Sequence, residues 1–155
     1  VGCEACHGPG SKHLAWADLP PLARSRTDNF GLTVRTGNVT ADEQIRLCAP
    51  CHSRRFQLGD NRHVQGELLD LMVPELLNEG VYYPDGQILG EDYVYGSFAQ
   101  SKMHQRGIRC SDCHDVHSGK LHKESNAVCT QCHRAAVYAT KEHHFHQPGT
   151  GAAGA

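Results

Sequence analysis

Aromatic residues are scarce in this chain. Phe, Trp and Tyr together make up 6% of its 155 residues, with a single Trp, and hydrophobic residues reach only 39%. A chain of this length is ordinarily one domain, but one so poor in apolar side chains could build only a thin core from its own atoms. No uninterrupted apolar run approaches the ~18 residues of a membrane-spanning helix, so no membrane span is expected. No basic stripe is present either. Lys and Arg number 15 against 17 Asp and Glu, a formal charge of -2, which makes nucleic acid a poor partner. The alternating apolar pattern of strands is missing throughout. There is no initiator Met and no signal peptide, and no cysteine lies outside one repeated pattern.

That pattern is C-x-x-C-H, and it occurs four times: Cys3-Glu-Ala-Cys6-His7, Cys48-Ala-Pro-Cys51-His52, Cys110-Ser-Asp-Cys113-His114 and Cys129-Thr-Gln-Cys132-His133. It is the attachment signature of c-type haem. Two thiols form thioethers to the haem vinyl groups, and the adjacent histidine is placed to ligate the iron from one side. Zinc would combine C-x-x-C pairs without needing His directly after each one. A redox dithiol would come once, in a βαβ setting. With 12 His in 155 residues, four chance placements have a probability of roughly 10^-5 to 10^-4 on composition alone. The expectation is four covalently attached haem c groups, held by Cys3, Cys6, Cys48, Cys51, Cys110, Cys113, Cys129 and Cys132, with His7, His52, His114 and His133 as proximal iron ligands.

Four haems supply the apolar surface that the side chains lack. The expected fold is mainly α with extensive irregular loops and little or no β, a small cofactor-organised multihaem cytochrome. Residues 1–147 would form one tetrahaem domain and 148–155 a flexible Gly/Ala tail. Propionates and ferric irons would move the net charge to roughly -6. The motifs are spaced unevenly, with 40 residues between His7 and Cys48, 57 between His52 and Cys110, and 14 between His114 and Cys129. The last two haems are therefore tethered close together.

Local signals place the motifs. Gly8-Pro9-Gly10 breaks any helix after the first, and Arg24 to Asn38 reads as an irregular segment. Thr40-Ala-Asp-Glu43 is a capping box opening a helix through the second motif. Arg54-Arg55 follow it, either as solvated charge or as partners for a haem propionate. Leu68 to Leu77 have helical spacing interrupted by Pro74, which predicts two short helices meeting there. Pro84-Asp85-Gly86 marks a tight turn. A helix is expected over Glu91 to Arg106, capped by Gly107, and a last one over Arg134 to His146.

Eight histidines remain for the second axial positions: His13, His63, His104, His117, His122, His143, His144 and His146. His13 and His117 lie close to motifs and are expected as ligands, His117 toward a neighbouring haem. Adjacent side chains on a helix diverge by about 100°, so one or two of His143, His144 and His146 can ligate; His143 and His146 share a face. His104 competes with Met103 for one iron, and a Met ligand would raise that haem's potential. Packing in a helix core is the other role for Met103. His63 and His122 read as bystanders.

Three segments resemble known proteins. They are Val1 to His13, Tyr95-Gly-Ser-Phe-Ala-Gln-Ser-Lys-Met103 leading into Cys110 to His117, and His143-His-Phe-His146. They look like the multihaem c-type cytochromes of the cytochrome c554-like group, and most of all like the haem region of multihaem cytochromes fused to tetratricopeptide repeats. The resemblance implies bis-His or His/Met low-spin haems in a stacked chain, with His13, His117 and the His143/His146 pair as distal ligands. Relatives commonly carry further haem motifs upstream and downstream, so this chain is either a module of a longer cytochrome or a short tetrahaem protein. The expected function is electron transfer, in the periplasm or outside the cell, to redox partner proteins or to identical subunits in a head-to-tail filament. The alternative is a haem-containing subunit of a multihaem reductase of small nitrogen or sulfur oxyanions, which needs an iron with an open position. A third reading is a docking module of a larger redox complex.

Overall fold

The computed structural model describes residues 2–25, 29–59, 67–89 and 93–144, with His144 described by its backbone alone. Among these residues 43% are helical and 10% are in strand-type pairing, so the architecture is mainly α and irregular loop with little β. The chain divides into two compact units, Val1–Cys110 and Ser111–Ala155.

The first unit opens with α1, Glu4–His7, which Cys3 precedes in helical backbone geometry. The Gly-Pro-Gly break follows as expected, and α2 runs over Ser11–Ala17. The next segment is irregular, with 3-10 turns at Pro21–Ala23 and Asn29–Gly31. Then comes α3, Ala41–His52, with the capping box in place: Thr40 Oγ1 accepts the Glu43 N–H at 3.2 Å, and Glu43 Oε2 accepts the Thr40 N–H at 2.7 Å. That backbone bond, with the Thr40 hydroxyl, holds the Glu43 carboxyl below its ordinary pKa. Pro50 lies inside α3 near its C-terminal end, between the two cysteines of the second motif.

Beyond α3 the chain departs from the expected pair of helices. One turn, α4 at Leu68–Leu71, gives way to strand β2, Met72–Pro74, which pairs antiparallel with β1, Arg55–Gln57. The register is Arg55↔Pro74, Phe56↔Val73 and Gln57↔Met72. Val73 explains the switch, because a β-branched residue before proline is driven out of the α region. The ladder then satisfies the backbone groups that a helix would have used. The core of this unit is small: Ala49 from α3, Leu68 from α4 and Met72 from β2, with Tyr95 packed against them. The Ser53 hydroxyl anchors it from within, 2.6 Å from the Ala49 carbonyl and 3.4 Å from Met72 Sδ.

In place of one helix over Glu91 to Arg106, the described residues form α5, Tyr95–Ala99, and α6, Lys102–Gln105. Ser101 separates them. Its backbone is extended and its Oγ accepts the His104 N–H at 3.1 Å, a local bond that competes with a continuous helix. The C-terminal cap is as expected: Gly107 has φ +78°, its N–H reaches His104 O at 2.9 Å, and the Ile108 N–H reaches Met103 O at 3.1 Å. This is a Schellman closure.

The second unit holds strands β3, His114–Asp115, and β4, Lys120–Leu121, paired as a hairpin. Three one-turn helices follow: α7 at Ala127–Thr130, α8 at Ala135–Tyr138 and α9 at Lys141–His144. The expected single helix from Arg134 is thus broken at Ala139-Thr140, where Thr140 Oγ1 turns back to the Val137 carbonyl at 3.4 Å. His146 and the 148–155 tail lie outside the described residues. None of the described residues of this unit is buried.

Candidate functional site

The four motifs share a local form. In the first, the Cys6 and His7 N–H groups both bond the Cys3 carbonyl, at 3.2 and 3.0 Å. The fourth repeats this, with Cys132 and His133 on the Cys129 carbonyl at 3.2 and 2.9 Å. The second occupies the last turn of α3. The third begins as a 3-10 turn at Cys110–Asp112 and passes His114 into β3. Residues i and i+3 lie on one face of a helical turn, which places the paired cysteines of the first, second and fourth motifs on a shared face. None of the eight cysteines is in a disulfide.

Within the first unit the motifs also approach one another. The Cys48 thiol hydrogen-bonds the Cys110 thiol, and this contact raises its pKa above the usual thiol range, followed by burial and by the nearby Cys110, Cys6 and Cys51. Among the described residues no group of three or more His, Cys, Asp or Glu converges in a way that could hold a metal ion.

The histidines fall into distinct settings. His13, in α2, places Nδ1 2.7 Å from the Phe30 carbonyl. A carbonyl can only accept, so Nδ1 carries the proton and Nε2 presents the lone pair. Trp16 stacks on the same ring, centroids 5.6 Å apart and planes 20° apart. His7 Nδ1 lies 3.4 Å from Thr36 Oγ1, a hydroxyl that can give or take the proton. His122 is committed the other way, its Nε2–H donating to the Ser111 carbonyl at 2.9 Å.

His104 and Met103 separate cleanly. His104 is 17% exposed, packs edge-on to Phe98 with ring centroids 5.3 Å apart, and brings Nε2 to 3.2 Å from Asp42 Oδ1. That approach lacks hydrogen-bond alignment, so the buried Nε2 has no hydrogen-bond partner. Met103 is 47% exposed and packs in no core. His117 is exposed in the hairpin turn, its N–H bonded to Asp115 Oδ1 at 3.0 Å. His143 and His133 of the fourth motif both set their rings against Tyr138, at 4.9 and 4.7 Å. His63 and His146 lie outside the described residues.

The chain matches no family model, no curated protein and no solved structure.

Large apolar side chains stand out in solvent, among them Leu14, Leu22, Phe56, Leu69 and Leu76, each more than 60% exposed. Arg54 and Arg55 are half-buried, which departs from the solvated-charge reading. Arg54 lies over the Tyr93 ring at 5.3 Å, and Arg55 Nε is buried without a hydrogen-bond acceptor. Uncovered apolar surface, thiol pairs on helical turns and an orphaned guanidinium N–H beside the second motif all suit a large apolar group bearing carboxylates. Some participants escaped sequence reading. Trp16 had a signal, its i+3 spacing from His13; the Phe30 carbonyl had none, because a backbone acceptor on a non-regular turn leaves no residue signature.

Proposed function

We propose that this chain is an electron-transfer tetrahaem c-type cytochrome, acting outside the cytoplasm. The observation that carries the reading is the fourfold recurrence of C-x-x-C-H, supported by the helical turns that hold the first, second and fourth motifs. When bound, haem supplies a one-electron iron couple. The chain's own part is to hold and orient. Eight cysteines fasten the groups, and His7, His52, His114 and His133 follow them as proximal donors. His13 keeps Nε2 free of its Nδ1 hydrogen bond, which supports it as a distal donor. His104 is turned inward where Met103 is outward, which favours it of the two, and to ligate it would have to give up the 3.2 Å contact of Nε2 with Asp42. His117 and His143 are the remaining described candidates. No helix among the described residues is long and apolar enough to cross a membrane, so association would run through redox partner proteins or further copies.

The test is the purified protein, made in a host that attaches haem to this motif. Four haems per chain are expected by pyridine haemochrome assay and intact mass, one fewer for each motif whose cysteines are changed to serine. Uniformly low-spin ferric signals are expected by electron paramagnetic resonance. A chain carrying zinc and no haem would overturn the proposal. A high-spin iron that binds cyanide or nitrite would replace it with the reductase reading.

A further inference from the structure

Phe30 is a bulky residue in the left-handed region, at φ +57° and ψ +27°, and Asn29 before it has φ +49°. Bulky residues adopt such a backbone only when the surroundings enforce it. Three things enforce it here. Asn29 Nδ2 donates to the Leu32 and Val34 carbonyls at 3.0 and 2.9 Å, pinning the turn from below. Gly31, at φ +77°, sits so close to α2 that a Cβ there would lie 2.6 Å from the Lys12 carbonyl. The Phe30 ring then meets Trp16 edge-on at 5.3 Å. The result is that one carbonyl, that of Phe30, is held at His13 Nδ1.

We propose that the Asn29-Phe30-Gly31 turn is a positioning device that fixes His13 as an Nε2 iron ligand, its carbonyl setting the tautomer and Trp16 setting the ring plane. This rests on the tetrahaem reading. The two constraints are independent: the hydrogen bond selects which nitrogen is bare, while the near-parallel indole limits rotation of the imidazole. Trp16 is itself held, its Nε1–H donating to the Ser25 carbonyl at 2.6 Å and the Arg24 guanidinium lying 5.7 Å from its ring centroid. A carbonyl on the second ring nitrogen also makes the imidazole a stronger donor to a metal. An exposed, unrestrained histidine would have neither property.

Three proteins decide it: wild type, His13→Ala and Gly31→Ala, each first assayed for haem. A wild-type count of zero sinks the tetrahaem reading itself and is distinct from failure of the clamp. With four haems present, His13→Ala should turn one of the four from low-spin to high-spin, reversed by added imidazole. Reduced wild-type protein should show a slowly exchanging His13 Nδ1–H by nuclear magnetic resonance. Gly31→Ala should keep four haems but lose that protected proton, alter the g-values of one low-spin haem and raise one midpoint potential, leaving three unchanged. Four unaltered low-spin haems in His13→Ala would overturn the proposal, as would a protected Nδ1–H and unchanged g-values in Gly31→Ala. Should Gly31→Ala fail to fold, the wild-type ring proton and the His13→Ala spin state decide alone: presence of both signals supports the clamp, and absence of either overturns it.

Discussion

His13 and His122 carry the same ring and commit opposite nitrogens of it. The Phe30 carbonyl accepts a hydrogen bond from the Nδ1–H of one, and the Ser111 carbonyl accepts one from the Nε2–H of the other. The sequence marks both as histidines near a motif; only the acceptor decides which nitrogen is bare. The same applies to Met103 and His104, neighbours that one turn of α6 sends to solvent and to the interior. His104→Ala should leave one haem high-spin, while Met103→Leu should leave every spin state and potential as in the wild type. Spin counts by electron paramagnetic resonance separate the two. Asp115 adds a pH dependence. Its carboxylate accepts the His117 and Ser118 N–H groups, and these bonds, the His117 one foremost, lower its pKa. A depressed folded pKa means that the contribution is present above the ordinary Asp value and is lost as pH falls through the lower folded one. Amide exchange at His117 and Ser118 should therefore speed up only in strongly acidic buffer. Asp115→Ala should show the fast exchange already at neutral pH.

At the scale of elements, legibility followed the capping chemistry. The Thr40/Glu43 box and the Gly107 closure were plain in the sequence because each is a short-range bond between residues of fixed type. Thr40→Ala should cost about 1 kcal/mol, seen as a lowered thermal midpoint of the holoprotein with haem count unchanged. Gly107→Ala places a Cβ at φ +78° and should cost at least about 1 kcal/mol. It should also loosen the segment leading into Cys110, readable as faster amide exchange at Ile108. The breaks were harder to see. Ser101, Thr140 and Val73-Pro74 each end a helix that periodicity would continue, two by side-chain bonds to nearby backbone and one by steric exclusion. Periodicity reports which residues could share a face; it does not report when a hydroxyl offers the backbone a better local partner.

For the whole molecule the governing fact is how little the chain buries. Among the described residues eight hydrophobic ones form the buried set, Val34, Val39, Ala41, Ile45, Ala49, Leu68, Met72 and Tyr82, all of them in the first unit. A unit of helical turns and a short hairpin with no buried described residue cannot be held by its own side chains. Protein made without haem attachment should therefore show weak helical circular dichroism and no cooperative melt. A sharp, native-like transition in the apo chain would contradict this account. Composition and spacing alone determined that the chain is mainly helix and loop, that its cysteines come as four C-x-x-C-H pairs, and that its own core is thin. Those properties are additive or short-range, and a linear text records them. Tertiary structure decided which ring nitrogens are bare, which of Met103 and His104 turns inward, and that Cys48 and Cys110, from different motifs, meet. Such outcomes depend on backbone carbonyls and on contacts between distant segments, which no single residue's identity encodes.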